Sequence, residues 1–165
     1  MDKGADALAL LPERIRERPE AVAEVVENNV RKVIVDEWAL NPRYFEKMSN
    51  LLDSLIQARK KEAWDYKLYL KQLAELASRV QLGEGSSEYP KSIHTPALRA
   101  LYDNLDRKEE LAVAVDNAIN SVKHAGWRGN RLKEREVRIA IKRALQRDDR
   151  LVDMIFEMVK NRHDY

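Results

Sequence analysis

Residues Val33-Ile34-Val35-Asp36-Glu37-Trp38 have the outline of a Walker B strand, an apolar run whose acid holds magnesium beside ATP. That chemistry needs a phosphate cradle of the form G-x-x-x-x-G-K-S/T upstream, and none occurs anywhere in the 165 residues. The same apolar residues also continue a helical stripe begun at Val22, so the run is expected to be an amphipathic helix. The three histidines, His94, His124 and His163, form no H-x-x-x-H or H-E-x-x-H pair that would set two metal ligands on one helix face. With no cysteine, disulfides, thiolate catalysis and zinc-cysteine sites are excluded. Carboxylates are plentiful but interleave with bases, as on any solvated helix face. No catalytic residue, metal site, small-molecule substrate site or cofactor is expected from these residues.

The remaining candidates lie together in KHAGWRGNRLKEREVRIAIKRAL, residues 123–145. Between 123 and 150 there are ten Lys/Arg against four Asp/Glu, a local +6; the rest of the chain has 20 bases and 24 acids, or −4. Arg131, Arg135, Arg138 and Lys142 fall at i, i+4, i+7 and i+11, which aligns them within about 60° on one helix face. Such a row can follow nucleic acid phosphates or an acidic partner. The plainer alternative is a solvated helix whose arginines pair with nearby acids. Val137, Ile141, Ala144 and Leu145 should point to the core, with Lys133, Arg143 and Arg147 projecting elsewhere.

Trp127 sits just ahead of this helix, between Gly126 and Gly129. The glycines permit a positive φ and would let another backbone approach closely. Burying the indole would stabilise by about 2–3 kcal/mol. It can do so inside the domain, stapling the flanking helices, or against a partner, since interfaces favour Trp beside Arg.

The elements that must position these residues read as helices throughout. Abundant Ala, Leu, Glu, Lys and Arg, with only five glycines and five prolines, favour an all-α fold. About 44% hydrophobic and 35% charged residues fit a water-soluble globular domain long enough to bury a core. No signal peptide and no run of 18 apolar residues is present, so neither export nor a membrane partner is expected. After a lead-in over 1–18, broken near Pro12, Pro19 opens a helix carrying Val22, Val25, Val26, Val30, Val33, Ile34 and Trp38 on its stripe. Asn41 as N-cap and Pro42 as first residue start a second, and Asp65 caps a third. GEGSSEYPKS, residues 83–92, is the clearest loop. Beyond it, helices are expected from Thr95-Pro96, over EELAVAVDNAINSVK, from Asn130 to about Leu145, and from Asp148 or Asp149 onward. The chain is thus read as a single helical domain over 1–165: about six to eight helices in two sub-bundles, 19–82 and 93–165, joined by the 83–92 loop.

Three phrases in the second half carry a resemblance. YPKSIHTPALRALYDNL, GWRGNRLKEREVRIAIKRAL and the closing MVKNRHDY resemble the C-terminal helical region of the R subunit of type I restriction enzymes. VENNVRKVIVDEWALNPRYFEKMSNLLDSLI and WDYKLYLKQLAELASRV look like the helices preceding that region, so the likeness runs from about residue 19 to the end. His94 and Gly129 stand where the family more often has Asn and Asp.

The resemblance implies an assembly module of an ATP-dependent, site-specific endodeoxyribonuclease of a prokaryotic restriction-modification system, acting in the cytoplasm. In that family the R subunit joins a nuclease domain to two helicase domains that hydrolyse ATP to translocate DNA. ATP and Mg2+ would belong to those domains, and the helical region would attach the motor to the methyltransferase core through its M (modification) subunit. Met1 then reads as an added start and Tyr165 as a natural end. Trp127, Arg128 and Asn130 of the signature loop are the expected partner contacts, with Asn130 alternatively the N-cap of the basic helix. Arg131, Arg135, Arg138 and Lys142 are the expected contacts for an acidic partner or for duplex DNA.

Overall fold

A computed structural model describes residues 17–61, 65–82 and 89–165, and these residues form seven α-helices with no strand. The lead-in before residue 17, with its break at Pro12, and the 83–88 part of the expected loop lie outside the described residues. Two compact units are present. One takes in the described residues up to Trp38 and from Phe45 to residue 82; the other takes Ala39–Tyr44 and the described residues from 89 to Tyr165.

In the first unit α1 spans Pro19–Glu37, α2 Pro42–Lys61 and α3 Tyr66–Leu82, the first turn of α2 being counted with the second unit. The expected punctuation is in place. Pro19 is the first helical residue of α1, where a missing amide proton costs nothing. The Asn41 side chain accepts from the Tyr44 amide at 3.3 Å, and that of Asp65 from the Lys67 amide at 3.1 Å. Val22, Val30 and Ile34 of α1 and Tyr69, Leu73 and Leu76 of α3 are buried, and the two helices pack together. The Tyr69 hydroxyl donates to Glu27 at 2.5 Å, and Arg59 of α2 lies over the Tyr69 ring at 5.0 Å. Burial, and then that hydrogen bond to a carboxylate, hold the Tyr69 phenol well above its ordinary range.

The stripe was expected to continue through Trp38, but α1 ends at Glu37, a 3-10 turn covers Trp38–Leu40, and the indole is 41% exposed. The α-helical register lapses at that point. Asp36, the would-be magnesium ligand, lies exposed on a helix, not at the end of a strand.

The second unit holds α4 (Pro96–Asn104), α5 (Glu109–Val122), α6 (Arg131–Leu145) and α7 (Asp149–Asn161). Thr95 caps α4 through the Leu98 amide at 3.1 Å, and Asp148 caps α7 through the Arg150 amide at 3.1 Å. α5 packs on α4 and α6, and α7 on α6 and α4. Leu101, Val115, Ile119, Val137, Ile141 and Ile155 are fully buried between them. Each such side chain contributes about 1.5–3 kcal/mol.

A polar cluster holds the 39–44 segment in this unit. Asn41 donates to Asp103 at 2.9 Å and accepts from Asn104 at 2.7 Å, while Tyr89 donates to the same Asp103 oxygen at 2.7 Å. Asn41 and Asn104 are 1% and 4% exposed, and their mutual bonding offsets the cost of burying amides.

Candidate functional site

The signature loop is built by two turns and a cap. The Trp127 amide donates to the His124 carbonyl at 3.1 Å, and the Asn130 amide to the Trp127 carbonyl at 3.3 Å. Gly126 and Gly129 have φ of 66° and 78°, the left-handed region that the sequence anticipated. Close approach of another backbone is not found: a Cβ at either position would meet nothing within 4 Å. The Asn130 side chain then accepts from the Leu132 and Lys133 amides at 3.1 and 3.2 Å, making it the N-cap of α6. Glu134 reaches back to the Gly129 amide at 2.7 Å and pairs with Lys160 of α7 at 3.0 Å. The Gly129 amide first, then Lys160, hold the Glu134 carboxyl below its usual range.

The expectation that Trp127 contacts a partner needs correction. Its side chain is 2% exposed, inside the core of the second unit, with its ring edge-to-face on Phe156 at 6.2 Å. It therefore staples helices within the domain and offers no surface for docking. The indole Nε1 is buried with no hydrogen-bond acceptor among the described residues. Arg128 is exposed, but its hydrogen bonds go to its own fold. Its guanidinium lies 4.7 Å from the Trp127 ring, donates from Nε to the Lys160 carbonyl at 2.9 Å, and bonds the Arg162 carbonyl. It thus satisfies carbonyls left open at the end of α7. Trp127, Arg128 and Asn130 form a clasp between the start of α6 and the end of α7.

The closing NRHDY is part of the same clasp. Arg162, 7% exposed, bonds both Asp164 oxygens at 2.9 Å and the Leu40 carbonyl at 2.7 Å. Burial alone would raise the Asp164 carboxyl, but the Arg162 guanidinium overrides it and holds it below the usual range. The Tyr165 hydroxyl donates to Asp116, and burial foremost pushes that phenol far above its ordinary value. Nothing in the sequence flagged Arg162 as buried, because its partners are set by tertiary structure.

The four-residue basic row of α6 exists, but it divides. Arg138 bonds Asp153 and lies over the Phe156 ring at 5.2 Å, and Lys142 pairs with Asp149 at 2.7 Å. Lys142 holds the Asp149 carboxyl below its usual range. Both pairs are exposed, so solvent screens them and neither adds much to stability. Arg131 and Arg135 are exposed and make no ion pair among the described residues. Two residues that sequence reasoning missed complete this surface: Leu132, 74% exposed, and Ile139, 38% exposed. The available signal was that neither lies on the Val137, Ile141, Leu145 stripe.

The histidines are exposed, with His94 Nδ1 3.0 Å from the Ser92 carbonyl. Among the described residues no group of three or more His, Asp or Glu is placed to hold a metal ion. No helix among them is long and apolar enough to cross a membrane. Comparison with protein-family models, with curated proteins and with solved structures gives no match.

Proposed function

We propose that this chain is a protein-docking module, equivalent to the C-terminal helical region that attaches the R-subunit motor of a type I restriction enzyme to the M subunit of its methyltransferase. The supporting observation is where the resembling phrases fall. Tyr89 and Asp103 of the first, Trp127 and Arg128 of the second, and Arg162 and Tyr165 of the third all make internal bonds or contacts of the second unit. They specify a shape, as a module held by a partner requires, and leave the surface of α6 for recognition. On this reading the stretch itself is not catalytic, ATP and Mg2+ act in other domains of the parent enzyme, and the complex works in a prokaryotic cytoplasm.

Direct duplex binding through the basic row is the competing reading, and the ion pairs weigh against it. Four free bases on phosphates would cost about a hundredfold in affinity between 50 and 200 mM salt, whereas two would cost only about tenfold. With Arg138 and Lys142 already paired, two of the row's four bases remain uncompensated, which lowers the salt dependence that the row alone would give. The test is a pull-down of the chain with purified M subunit at both salt concentrations, with duplex DNA as competitor. Retention at the higher salt, undisturbed by duplex, is expected. Retention only of duplex, lost at the higher salt, would replace docking by DNA contact.

A further inference from the structure

α6 is apolar on two opposite sides, and only one of them is covered. Val137, Ile141 and Leu145 face the core at 0%, 0% and 3% exposure. Leu132 and Ile139, seven residues apart, lie about 20° from each other around the axis and about 10 Å apart along it. Their direction is roughly opposite that of Ile141. Arg143 continues their line, Arg131 and Arg135 border it on one side, and Glu136 lies on the other. Arg131, Arg135 and Arg143 are exposed and make no ion pair among the described residues, leaving the face with a net positive charge.

We propose that this outer face of α6 binds an acidic amphipathic segment of a partner protein, with Leu132 and Ile139 as apolar anchors and Arg131, Arg135 and Arg143 pairing with its carboxylates. The assignment deepens the docking role and rests on it. Charge complementarity selects the occupant. A second copy meeting this face symmetrically would set arginine against arginine. A phosphate backbone would gain nothing from Leu132 and Ile139 and would be repelled by Glu136. Size selects the form: a 15-residue helix is about 22 Å long, and one face of it offers a few hundred Å2. That is well under the roughly 800 Å2 per partner of a standard interface, so the occupant is a linear segment laid along the helix.

The test uses the whole chain and three labelled probes: a helical peptide with leucines at i, i+3 and i+7 flanked by glutamates, the same peptide flanked by lysines, and a short DNA duplex. The wild-type chain is expected to bind the acidic peptide alone. Leu132→Ser/Ile139→Ser and Arg131→Ala/Arg135→Ala should each weaken that binding by about tenfold or more with helicity unchanged, while Lys71→Ala on α3 leaves it intact. Equal binding of both peptides, preference for duplex, no binding of the acidic peptide, or indifference to the serine pair would overturn the assignment. The same variants titrated with the M subunit separate the two claims. If the M subunit binds the wild type and the serine pair alike, the face is wrong and docking stands. If it binds neither, while the acidic peptide discriminates between them, docking to the M subunit is wrong and the face stands.

Discussion

The guanidinium of Arg128 lies over the indole of Trp127, 4.7 Å from the ring centroid, while its N–H groups close the carbonyl end of α7. Stacking and capping are thus done by one side chain, and the indole it covers fills the core beneath. A loop whose composition allows either a staple within the domain or a docking site is, physically, the fastening of the last three helices.

Trp127→Ala should therefore cost about 3–5 kcal/mol, as removal of a large buried aromatic does. Denaturant unfolding would register it as a lowered midpoint. Trp127→Phe should cost under about 1.5 kcal/mol, because it keeps most of the ring and removes a buried N–H with no acceptor among the described residues. A Trp127→Ala variant as stable as the wild type would contradict core placement.

Asn130→Ala removes the acceptor of two amides at the start of α6 and should cost about 1 kcal/mol, whereas Asn130→Asp should be close to neutral. Faster hydrogen exchange at the Leu132 and Lys133 amides in the alanine variant alone would mark the lost cap.

At Gly129 the demand is conformational only. With φ at 78° and open space where a Cβ would stand, Gly129→Ala should cost about 1 kcal/mol and Gly129→Asn less, since Asn tolerates the left-handed region. Equal melting temperatures for the two variants would show that strain is not the determinant.

These local features were the legible part. Asn41, Asp65, Thr95, Asn130 and Asp148 accept from amides two or three residues on, and Pro19, Pro42 and Pro96 stand at helix starts that need no amide proton, so the sequence displays cause and effect together. Partners far along the chain were not legible. Asn41 finds Asn104 and Arg162 finds the Leu40 carbonyl across stretches whose folding no local pattern announces. For the same reason the basic row looked uniform: Asp149 and Asp153, which compensate half of it, sit on the next helix. Trp38 misled because periodicity marks a stripe and not where its helix stops.

Acid should loosen the chain's end through Asp164. Its carboxyl titrates below its usual range when folded and near pH 3.9 when unfolded, so its contribution is full well above pH 3.9 and is lost as pH falls through the folded value. The stability difference between wild type and Asp164→Asn should hold steady above about pH 5 and shrink below about pH 4. A difference that grows on acidification would reverse the sign and contradict the Arg162–Asp164 pairing.

Calorimetric titration of the chain into the purified M subunit near physiological ionic strength tests the central claim most directly. A saturable association with a dissociation constant of about 1 μM or tighter is predicted, with a negative heat-capacity change from the apolar surface buried. No heat and no complex at about a hundredfold higher concentration would contradict a docking role for this helical module.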